Sequence, residues 1–318
     1  MTFAGSPDRL EARLVPEAGY EFDSFRISGL PRRPGLALIR ALARAAAAPG
    51  ACKEILRRRL PTVVLGAGGY VAGPMVYAAS RLGIPTALME ADAHVGLANR
   101  LAAPFAERVF LSFPVEGKGR PKYKVTGRPI PARSRAMPRV EARKLFGLPV
   151  DRRVLVVMGG SQGSRTLNEL SVESFGASGP AVLHLSGERD YESIRARVRR
   201  DDYVLVPFTD DFGAAIGAAD LVLARAGGSV WEVAAAGRPA ILVPYPFATG
   251  DHQAKNAEFF ERAGGVIVMP ETELGRVPEL ARSLLDDPDR LTEMGEAMTR
   301  VARPDAAAEI AEELIALV

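Results

Sequence analysis

Short apolar runs alternate with longer helical stretches through most of this chain. Each run is short and mostly apolar, which is typical of a strand buried on both faces of a sheet. The runs cover residues 61–69, 84–90, 108–113, 152–160, 181–187, 203–208, 220–228 and 238–246. The helical stretches between them include residues 71–82, 164–173, 229–236 and 252–263. This alternation predicts βαβ units, and therefore an α/β protein built on parallel sheets.

The chain length and one break in the pattern indicate how the chain divides. A chain of 318 residues is long enough for two domains of ordinary size. Residues 115–149 interrupt the apolar rhythm with proline, glycine and basic residues, so we interpret them as an interdomain connection with a short helix near residues 139–146. We predict one α/β domain over residues 1–133, a second over residues 134–304 and a C-terminal helix over residues 305–318.

Composition narrows the cellular setting. The chain is 47% hydrophobic and 25% charged, which is typical of a soluble globular protein. The single cysteine, Cys52, has no disulfide partner within the chain, and no cysteine and histidine cluster has metal-ligand spacing. We therefore predict a reducing compartment and no metal site. The sequence contains neither a signal-peptide pattern nor an uncharged apolar run long enough for a membrane span, which predicts a cytoplasmic protein.

A glycine-rich turn, GGSQGS at residues 159–164, joins the fourth predicted strand to a helix. Glycines allow a tight turn and close backbone approach, and a helix N-terminus offers free N–H groups to an anion such as a diphosphate. The match to GxGxxG is incomplete, because Met158 stands where the first glycine belongs and no P-loop lysine follows. A phosphate site and a purely structural turn both fit this motif.

A second glycine turn, RAGGSVWE at residues 225–232, closes another predicted strand. Ser229 and Glu232 have the spacing of a helix capping box. Alternatively, Glu232 accepts hydrogen bonds from a ribose diol, as acidic residues do at other nucleotide sites.

A third loop, PFATGDHQAKN at residues 246–256, follows the last predicted strand. Asp251, Gln253 and Asn256 suit the hydroxyls of a sugar, although a helix cap with exposed polar neighbours fits them as well. All three loops follow strands, so we expect them to meet at the carboxyl edge of one parallel sheet, where open α/β folds bind ligands.

The ordered set of motifs resembles the MurG family, the bacterial UDP-N-acetylglucosamine:lipid I N-acetylglucosaminyltransferases of peptidoglycan synthesis. The resemblance extends through nearly the whole chain. It rests on the three loops above and on GLPRRPG, LGAGGYVAGP, NRLAAPFAERV and TGRPIP at residues 29–35, 65–74, 99–109 and 126–131. It implies a GT-B fold, with two Rossmann-like domains facing a cleft and the donor nucleotide held mainly by the second. It also implies UDP-GlcNAc as donor substrate, a polyprenyl-linked acceptor, and no cofactor.

The resemblance assigns donor-site roles by motif position. Ser161, with Gln162 and Gly163, would lie at the diphosphate, and the Thr209 backbone at the uracil. Gly228, Ser229 and Glu232 would surround the uridine, with Glu232 on the ribose, although the RAGGSVWE loop is one residue shorter than the usual family form. Asp251, Gln253 and Asn256 would contact the GlcNAc.

The first half is expected to bind the acceptor. Gly68, Gly69 and Tyr70 occupy the family loop that faces the acceptor diphosphate, with a structural turn as the alternative. The segment MEAD at residues 89–92 replaces the family's HEQN, so only Glu90 matches it.

The catalytic base has two candidates. Asp92 fits a general base or a loop carboxylate that caps a helix, and His94 is the other candidate base. Where the family usually has an arginine, this chain has Pro131, so Arg128 or Arg133 is expected to supply that charge, and Arg128 is predicted to bind the acceptor or its phosphate.

Two further expectations concern the N-terminal half. Family members begin with a strand, a GGxGGH loop and a helix before a segment resembling residues 5–19, so we expect the native chain to begin roughly 30 or more residues upstream, about one βα unit. Residues 32–59 carry eight basic residues against Glu54, with Leu36, Leu38, Ile39 and Leu42 among them. This stretch fits an anionic membrane surface or a solvated helix face, and it lacks the interleaved aromatics of nucleic-acid binding. The family resemblance implies peripheral docking on the cytoplasmic face of the bacterial cell membrane.

The function predicted from the resemblance is inverting transfer of GlcNAc from UDP-GlcNAc to the C4 hydroxyl of a lipid-linked muramyl acceptor. A related UDP-sugar transferase with another acceptor is one alternative. A catalytically inactive UDP-sugar-binding protein is the other.

Overall fold

A computed structural model describes residues 1–29 and 35–318 of the chain. Numbered along the chain, the strands are β1 Thr2–Gly5, β2 Glu21–Ser24, β3 Val64–Gly66, β4 Thr86–Glu90, β5 Arg108–Leu111, β6 Tyr123–Val125, β7 Val154–Met158, β8 Ala181–Leu185, β9 Tyr203–Val206, β10 Leu221–Ala224, β11 Ala240–Leu242 and β12 Val266–Val268. The α-helices are α1 Glu11–Glu17, α2 Leu36–Arg59, α3 Gly69–Arg81, α4 Leu97–Ala102, α5 Arg139–Leu145, α6 Arg165–Phe175, α7 Tyr191–Arg195, α8 Phe212–Ala218, α9 Val230–Ala235, α10 His252–Arg262, α11 Val277–Leu285, α12 Pro288–Val301 and α13 Ala306–Ile315.

The described chain divides into two compact units. The first comprises Met1–Thr126 and Ala308–Val318, and the second comprises Gly127–Ala307. The boundary therefore differs from the expected one after residue 133, because residues 127–133 belong with the second unit. Gly127 lies so close to Arg303 that a Cβ atom on Gly127 would be 2.4 Å from the Arg303 Cβ.

The end of the chain also differs from the prediction of a separate C-terminal helix. Helix α13 packs on the first unit, where Ile310 joins a buried cluster with Ala87 and Phe110. The Lys124 ammonium lies 2.7 Å from Glu309 and 2.8 Å from Glu313, which pairs β6 with the same helix. Apolar burial and this ion pair together explain why the last residues join the first unit.

The first unit contains two parallel sheets. One sheet has the strand order β3-β4-β5-β6, and β1 and β2 form a separate pair. Strands β4 and β5 are almost entirely buried because their residues are mostly apolar. Strand β6 lies inside the segment that the sequence predicts to be a connection, so that prediction was wrong for residues 123–125; none of those three residues is fully buried.

The second unit is a doubly wound parallel sheet. Its strand order is β12-β11-β10-β7-β8-β9, so the direction of winding reverses between β7 and β10. Strand β7 is fully buried, with Val157 paired to Leu223 of β10 and to His184 of β8. Ligands of such sheets bind outside the carboxyl ends of the strands at this reversal. The loops after β7 and β10 are therefore the expected ligand-binding loops.

Some sequence features lie outside what the structure describes. Residues 30–34, which include Arg32 and Arg33, are not described, nor are the side chains of Leu38 and Leu42. Across the two described ranges, no helix has both the length and the apolar composition needed to cross a membrane.

Candidate functional site

A pocket of about 230 Å³ lies at the reversal point of the second unit. Its walls include Ser161 from the loop after β7, Thr209 from the loop after β9 and Ser229 from the loop after β10. Arg133 also lines it. Three of the predicted donor-site residues, and one of the two arginines expected to supply charge, are thus brought together by a single sheet edge.

The glycine-rich turn after β7 has a conformation that depends on its glycines. Gly160 and Gly163 have φ angles of +87° and +70°, and the Gly163 N–H donates to the Gly160 carbonyl at 2.9 Å. A Cβ atom on Gly163 would lie 2.0 Å from the Ser186 carbonyl oxygen. Ser161 and Gln162 are exposed just before α6 begins. Their position at the positive end of the α6 dipole is one that stabilises an anion.

Arg225 is a central residue that the sequence reasoning missed. Its side chain is only 8% exposed. Its Nε donates to the Ser164 hydroxyl at 3.1 Å, and its Nη1 donates to the Val243 carbonyl at 3.2 Å. Arg225 therefore joins the loops after β7, β10 and β11. The available signal was a basic residue that directly follows the buried run LVLA, because a buried charge needs a partner.

Glu271 is the acidic partner of Arg225. The Arg225 Nη1 donates to Glu271 at 2.9 Å, and the Thr166 hydroxyl donates to the other Glu271 oxygen at 2.9 Å. Burial acts to raise the pKa of Glu271, but these two hydrogen bonds and the positive charge of Arg225 together outweigh it, and the net pKa is below the usual range. The carboxylate therefore stays ionised and balances the buried guanidinium.

Glu232 lies in the first turn of α9 with one unpaired oxygen. Its Oε2 is buried and has no hydrogen-bond partner within the described ranges. Burial raises the pKa of Glu232, while the positive charge of Arg128 acts in the opposite direction. Ser229 has a helical backbone and makes no side-chain cap hydrogen bond, so the capping-box alternative is wrong. A buried acceptor without a partner raises the free energy of the folded protein, and a donor group on a ligand would remove this penalty by forming the missing hydrogen bond.

Arg128 lies elsewhere than predicted. We expected it on the acceptor side, but it belongs to the second unit and lies against the loop after β10. A Cβ atom on Gly228 would be 2.3 Å from the Arg128 Nη1. The guanidinium thus occupies the space that the glycine leaves, and its charge acts on Glu232.

The loop after β11 places its three predicted sugar contacts differently. Asp251 is exposed and Gln253 is half-buried. The Gln253 Oε1 accepts a hydrogen bond from the Tyr245 backbone N–H at 2.9 Å. Asn256 is 0% exposed, and its Nδ2 donates to the Ala226 carbonyl at 3.3 Å. The prediction for Asn256 is therefore corrected: in this conformation it has no surface for a sugar, and it holds α10 to the loop after β10.

The side chain of Thr209 takes part in a local turn. Its hydroxyl accepts from the Asp211 backbone N–H at 3.0 Å, just before α8. The neighbouring Phe208 is 57% exposed and lines the same pocket. An exposed aromatic ring beside a polar backbone suits a flat base.

In the first unit, the loop before α3 has the conformation of a glycine-dependent turn. Gly68 and Gly69 have φ angles of +95° and +71°. The Tyr70 hydroxyl accepts from the Arg9 Nε at 3.0 Å. These three predicted acceptor residues thus lie together where α3 begins.

Glu90 organises the loop that follows β4. It accepts hydrogen bonds from the Gly96 N–H at 2.9 Å, the Asn99 Nδ2 at 2.9 Å and the Asp92 N–H at 3.3 Å. Its carboxylate is buried, so the prediction of a direct acceptor contact is corrected to a positioning role. Asp92 and His94, both half-buried, lie within the loop that Glu90 holds. In residues 1–29 and 35–318, no three His, Cys, Asp or Glu side chains cluster as metal ligands.

Comparison with known proteins identifies the family. The glycosyltransferase family 28 N-terminal domain matches residues 2–111, and the C-terminal domain matches residues 154–310. A protein of Acidithiobacillus ferrooxidans (strain ATCC 53993 / BNL-5-31) is 41% identical over 324 residues, which are 99% of this chain and 89% of that protein. It is named UDP-N-acetylglucosamine--N-acetylmuramyl-(pentapeptide) pyrophosphoryl-undecaprenol N-acetylglucosamine transferase. The chain belongs to this family, the MurG glycosyltransferases.

Further similarities agree with membership of the MurG family. A protein of Halorhodospira halophila (strain DSM 244 / SL1) with the same name is 42% identical over 326 residues, covering 98% of this chain and 88% of that protein. The crystal structure of Acinetobacter baumannii MurG is 27% identical with a TM-score of 0.76, covering 98% of this chain and 90% of that chain. The predicted two-domain α/β fold of the GT-B class is confirmed.

Proposed function

We propose that this protein transfers GlcNAc from UDP-GlcNAc to the C4 hydroxyl of a lipid-linked muramyl acceptor, with inversion at the anomeric carbon. The observation that carries the proposal is the unpaired, buried Oε2 of Glu232, at the same sheet edge as the glycine turn after β7. The names of the relatives at 41% and 42% identity support the same substrates.

The donor would be held in three parts. Its diphosphate would lie at Ser161 and the N-terminus of α6, with Arg133 as the nearby cation that replaces the family arginine at residue 131. The uracil would contact the Thr209 backbone and Phe208, and the ribose hydroxyls would donate to Glu232. Asp251 and the amide nitrogen of Gln253 would contact the sugar.

The proposed reaction breaks one bond and forms one. The acceptor hydroxyl attacks the anomeric carbon, the bond from that carbon to the UDP oxygen breaks, and its electron pair leaves with UDP. The α6 N-terminus stabilises the negative charge that develops on the diphosphate. A base removes the hydroxyl proton, and Asp92 is our proposal for it, with His94 as the other candidate. Glu90 would keep both in place through the loop it holds.

Residues of the first unit support a location at the cytoplasmic face of the membrane. In α2, the side chains of Leu36 and Ile39 are exposed, and the helix also carries Arg40 and Arg44. Exposed apolar residues beside arginines favour an anionic lipid surface, where a polyprenyl-linked acceptor would be found.

A transfer assay tests the proposal. Labelled UDP-GlcNAc and lipid I in vesicles are expected to yield labelled lipid II in the presence of the protein. Calorimetry with UDP-GlcNAc alone separates binding from transfer. Tight binding without transfer to lipid I would instead indicate another acceptor, which the replacement of HEQN by Met89, Glu90, Ala91 and Asp92 favours, or an inactive binding protein.

A further inference from the structure

A second pocket lies at the opposite edge of the sheet in the second unit. Its volume is about 720 Å³, and we call it the arginine groove because Arg139, Arg153, Arg238 and Arg300 line it. Arg153 immediately precedes β7, and Arg238 lies two residues before β11. Both therefore lie at the amino ends of strands whose carboxyl ends hold the proposed donor site. The family assignment and the proposed function account for neither the groove nor its arginines.

One carboxylate serves several guanidinium groups at this edge. Asp220 accepts from the Arg143 Nη2 at 2.6 Å and from the Val154 N–H at 2.8 Å through one oxygen. Its other oxygen lies 3.0 Å from Arg139 and 3.5 Å from Arg153. Both oxygens of Asp220 are therefore engaged, and one negative charge is shared among three arginines.

Arg238 has one paired and one unpaired donor group. Its Nη2 donates to the Gly217 carbonyl at 2.7 Å, but its buried Nε has no partner in the parts of the chain that the structure describes. Burial and, after it, the positive charge of Arg139 lower the pKa of Arg238 to about 10, although the negative charge of Asp220 opposes the shift. A buried donor among like charges is a feature that a bound anion would stabilise.

The remaining groups of the groove leave the positive charge in excess. The only other carboxylate among the lining residues described is that of Glu296, which lies 3.9 Å from Arg300 on α12. Four arginines thus face two carboxylates, and Arg143 already uses part of one. Pro239 and Leu291 add an apolar portion to the wall.

We propose that the arginine groove binds a soluble small molecule that carries a phosphate monoester or diphosphate group. Guanidinium groups bind phosphate oxygens with paired, charge-assisted hydrogen bonds, and the charge excess matches a doubly negative group. The volume is that of a small-molecule site, and the apolar wall would contact the rest of the ligand.

Calorimetric titration with inorganic pyrophosphate tests the proposal. Saturating UDP is included to fill the donor site, so that the remaining binding reports the groove. Arg153→Gln and Arg238→Gln are each expected to weaken pyrophosphate binding about tenfold or more. Arg195→Gln is the matched control, because Arg195 is an exposed arginine on α7 that lines neither pocket. The affinity of the Arg195→Gln variant for pyrophosphate is expected to equal that of the parent protein.

Several results would overturn the proposal. Equal pyrophosphate affinity in all four proteins would make the groove a structural ion-pair network, as would no pyrophosphate binding in the presence of UDP. Vesicles of phosphatidylcholine and phosphatidic acid in equal amounts supply the second arm: loss of vesicle binding in the groove variants, with pyrophosphate binding intact, would assign the arginines to lipid headgroups. Because the Arg153 side chain is 42% exposed, its replacement tests the groove even if Arg238→Gln does not fold.

Discussion

The Nε of Arg225 donates a hydrogen bond to the Ser164 hydroxyl and so ties the end of β10 to the glycine turn after β7. The same guanidinium reaches the Val243 carbonyl after β11 and the carboxylate of Glu271. The shape of the proposed donor site therefore depends on one buried side chain that would not itself need to touch the nucleotide.

Arg225→Met is expected to lower the free energy of unfolding by about 3 kcal/mol, because it leaves Glu271 without its buried partner. UDP affinity should fall as well, since the glycine turn loses its anchor. Urea denaturation and calorimetry measure the two effects. Arg165→Met is the control, because Arg165 is exposed and its ion pair with Asp190 spans 3.5 Å. That control should change stability by less than about 0.5 kcal/mol. Equal stability of the two variants would contradict the anchoring role.

Glu232→Gln is expected to weaken UDP binding about tenfold, because a charged acceptor of ribose hydrogen bonds is lost. The affinity for 2′-deoxy-UDP should change less, since that ligand has one ribose hydroxyl fewer to donate. Calorimetry with both ligands measures the difference. Glu192→Gln, on the exposed surface of α7, should bind both ligands as the parent does. Equal losses for UDP and 2′-deoxy-UDP would place Glu232 away from the 2′-hydroxyl.

The raised pKa of Glu232 predicts the sign of a pH effect on stability. As pH rises through the ordinary carboxyl range, the unfolded chain loses its proton at Glu232 first, so this group destabilises the folded state. The penalty is absent below the unfolded pKa and is complete above the raised folded pKa. Glu232→Gln should therefore be more stable relative to the parent at pH 7.5 than at pH 4. Denaturant titrations of the free protein at both pH values measure this difference. The opposite sign would mean that the hydrogen bond from the Glu232 backbone and the charge of Arg128 together outweigh burial.

Gly163→Ala is expected to destabilise the protein by about 3 kcal/mol. The new Cβ would meet the Ser186 carbonyl at 2.0 Å, and the φ angle of +70° is strained for alanine. Gly227→Ala is the matched control, because its Cβ would meet no atom within 4 Å. The control should cost less than about 1 kcal/mol. Thermal denaturation of both variants decides the comparison, and similar melting temperatures would mean that the turn adjusts.

Glu90→Gln is expected to loosen the loop that contains Asp92 and His94, because a carboxylate that accepts three hydrogen bonds is replaced by an amide. Hydrogen exchange at the Gly96 amide should become about tenfold faster. Glu107→Gln, at an exposed site of the same unit, should leave that exchange rate unchanged. An unchanged Gly96 rate in Glu90→Gln would show that the loop holds its conformation without the charge.

Periodicity predicted most of the fold. Every predicted apolar run contains a strand, because strands inside a parallel sheet are mostly apolar segments. Strands β1 and β2 were missed because several of their residues are exposed and their apolar pattern is weak. Strand β6 was missed because it is only three residues long and all three are half-buried. Strand β12 was missed because it is only the short segment Val266–Val268, separated from α10 by three residues.

The site was predictable only in part. The expectation that strand-end loops converge placed Ser161 and Ser229 together, and both line one pocket, whereas no residue of the third loop, 246–256, is among its lining residues. Thr209 lines the pocket too, but it was expected at the donor site only from the family resemblance. The roles of Arg225 and Asn256 depend on partners far along the chain, Ser164 and Ala226, and no local pattern reveals such distances. The position of Arg128 beside Gly228 is likewise a contact between residues far apart in the sequence, so no local pattern predicts it.

The hydrogen bond from Asn256 to Ala226 and the hydrogen bonds of Arg225 connect the loops after β7, β10 and β11 to one another. In a redesign of nucleotide or sugar preference, some positions could therefore be substituted without loss of the loop structure and others could not. Exposed residues such as Ser161, Gln162 and Asp251 can be varied singly. A change at Arg225 would disturb all three loops, and a change at Asn256 would disturb the loops after β10 and β11. A library built on the exposed positions alone should retain far more folded members than one that includes the anchors.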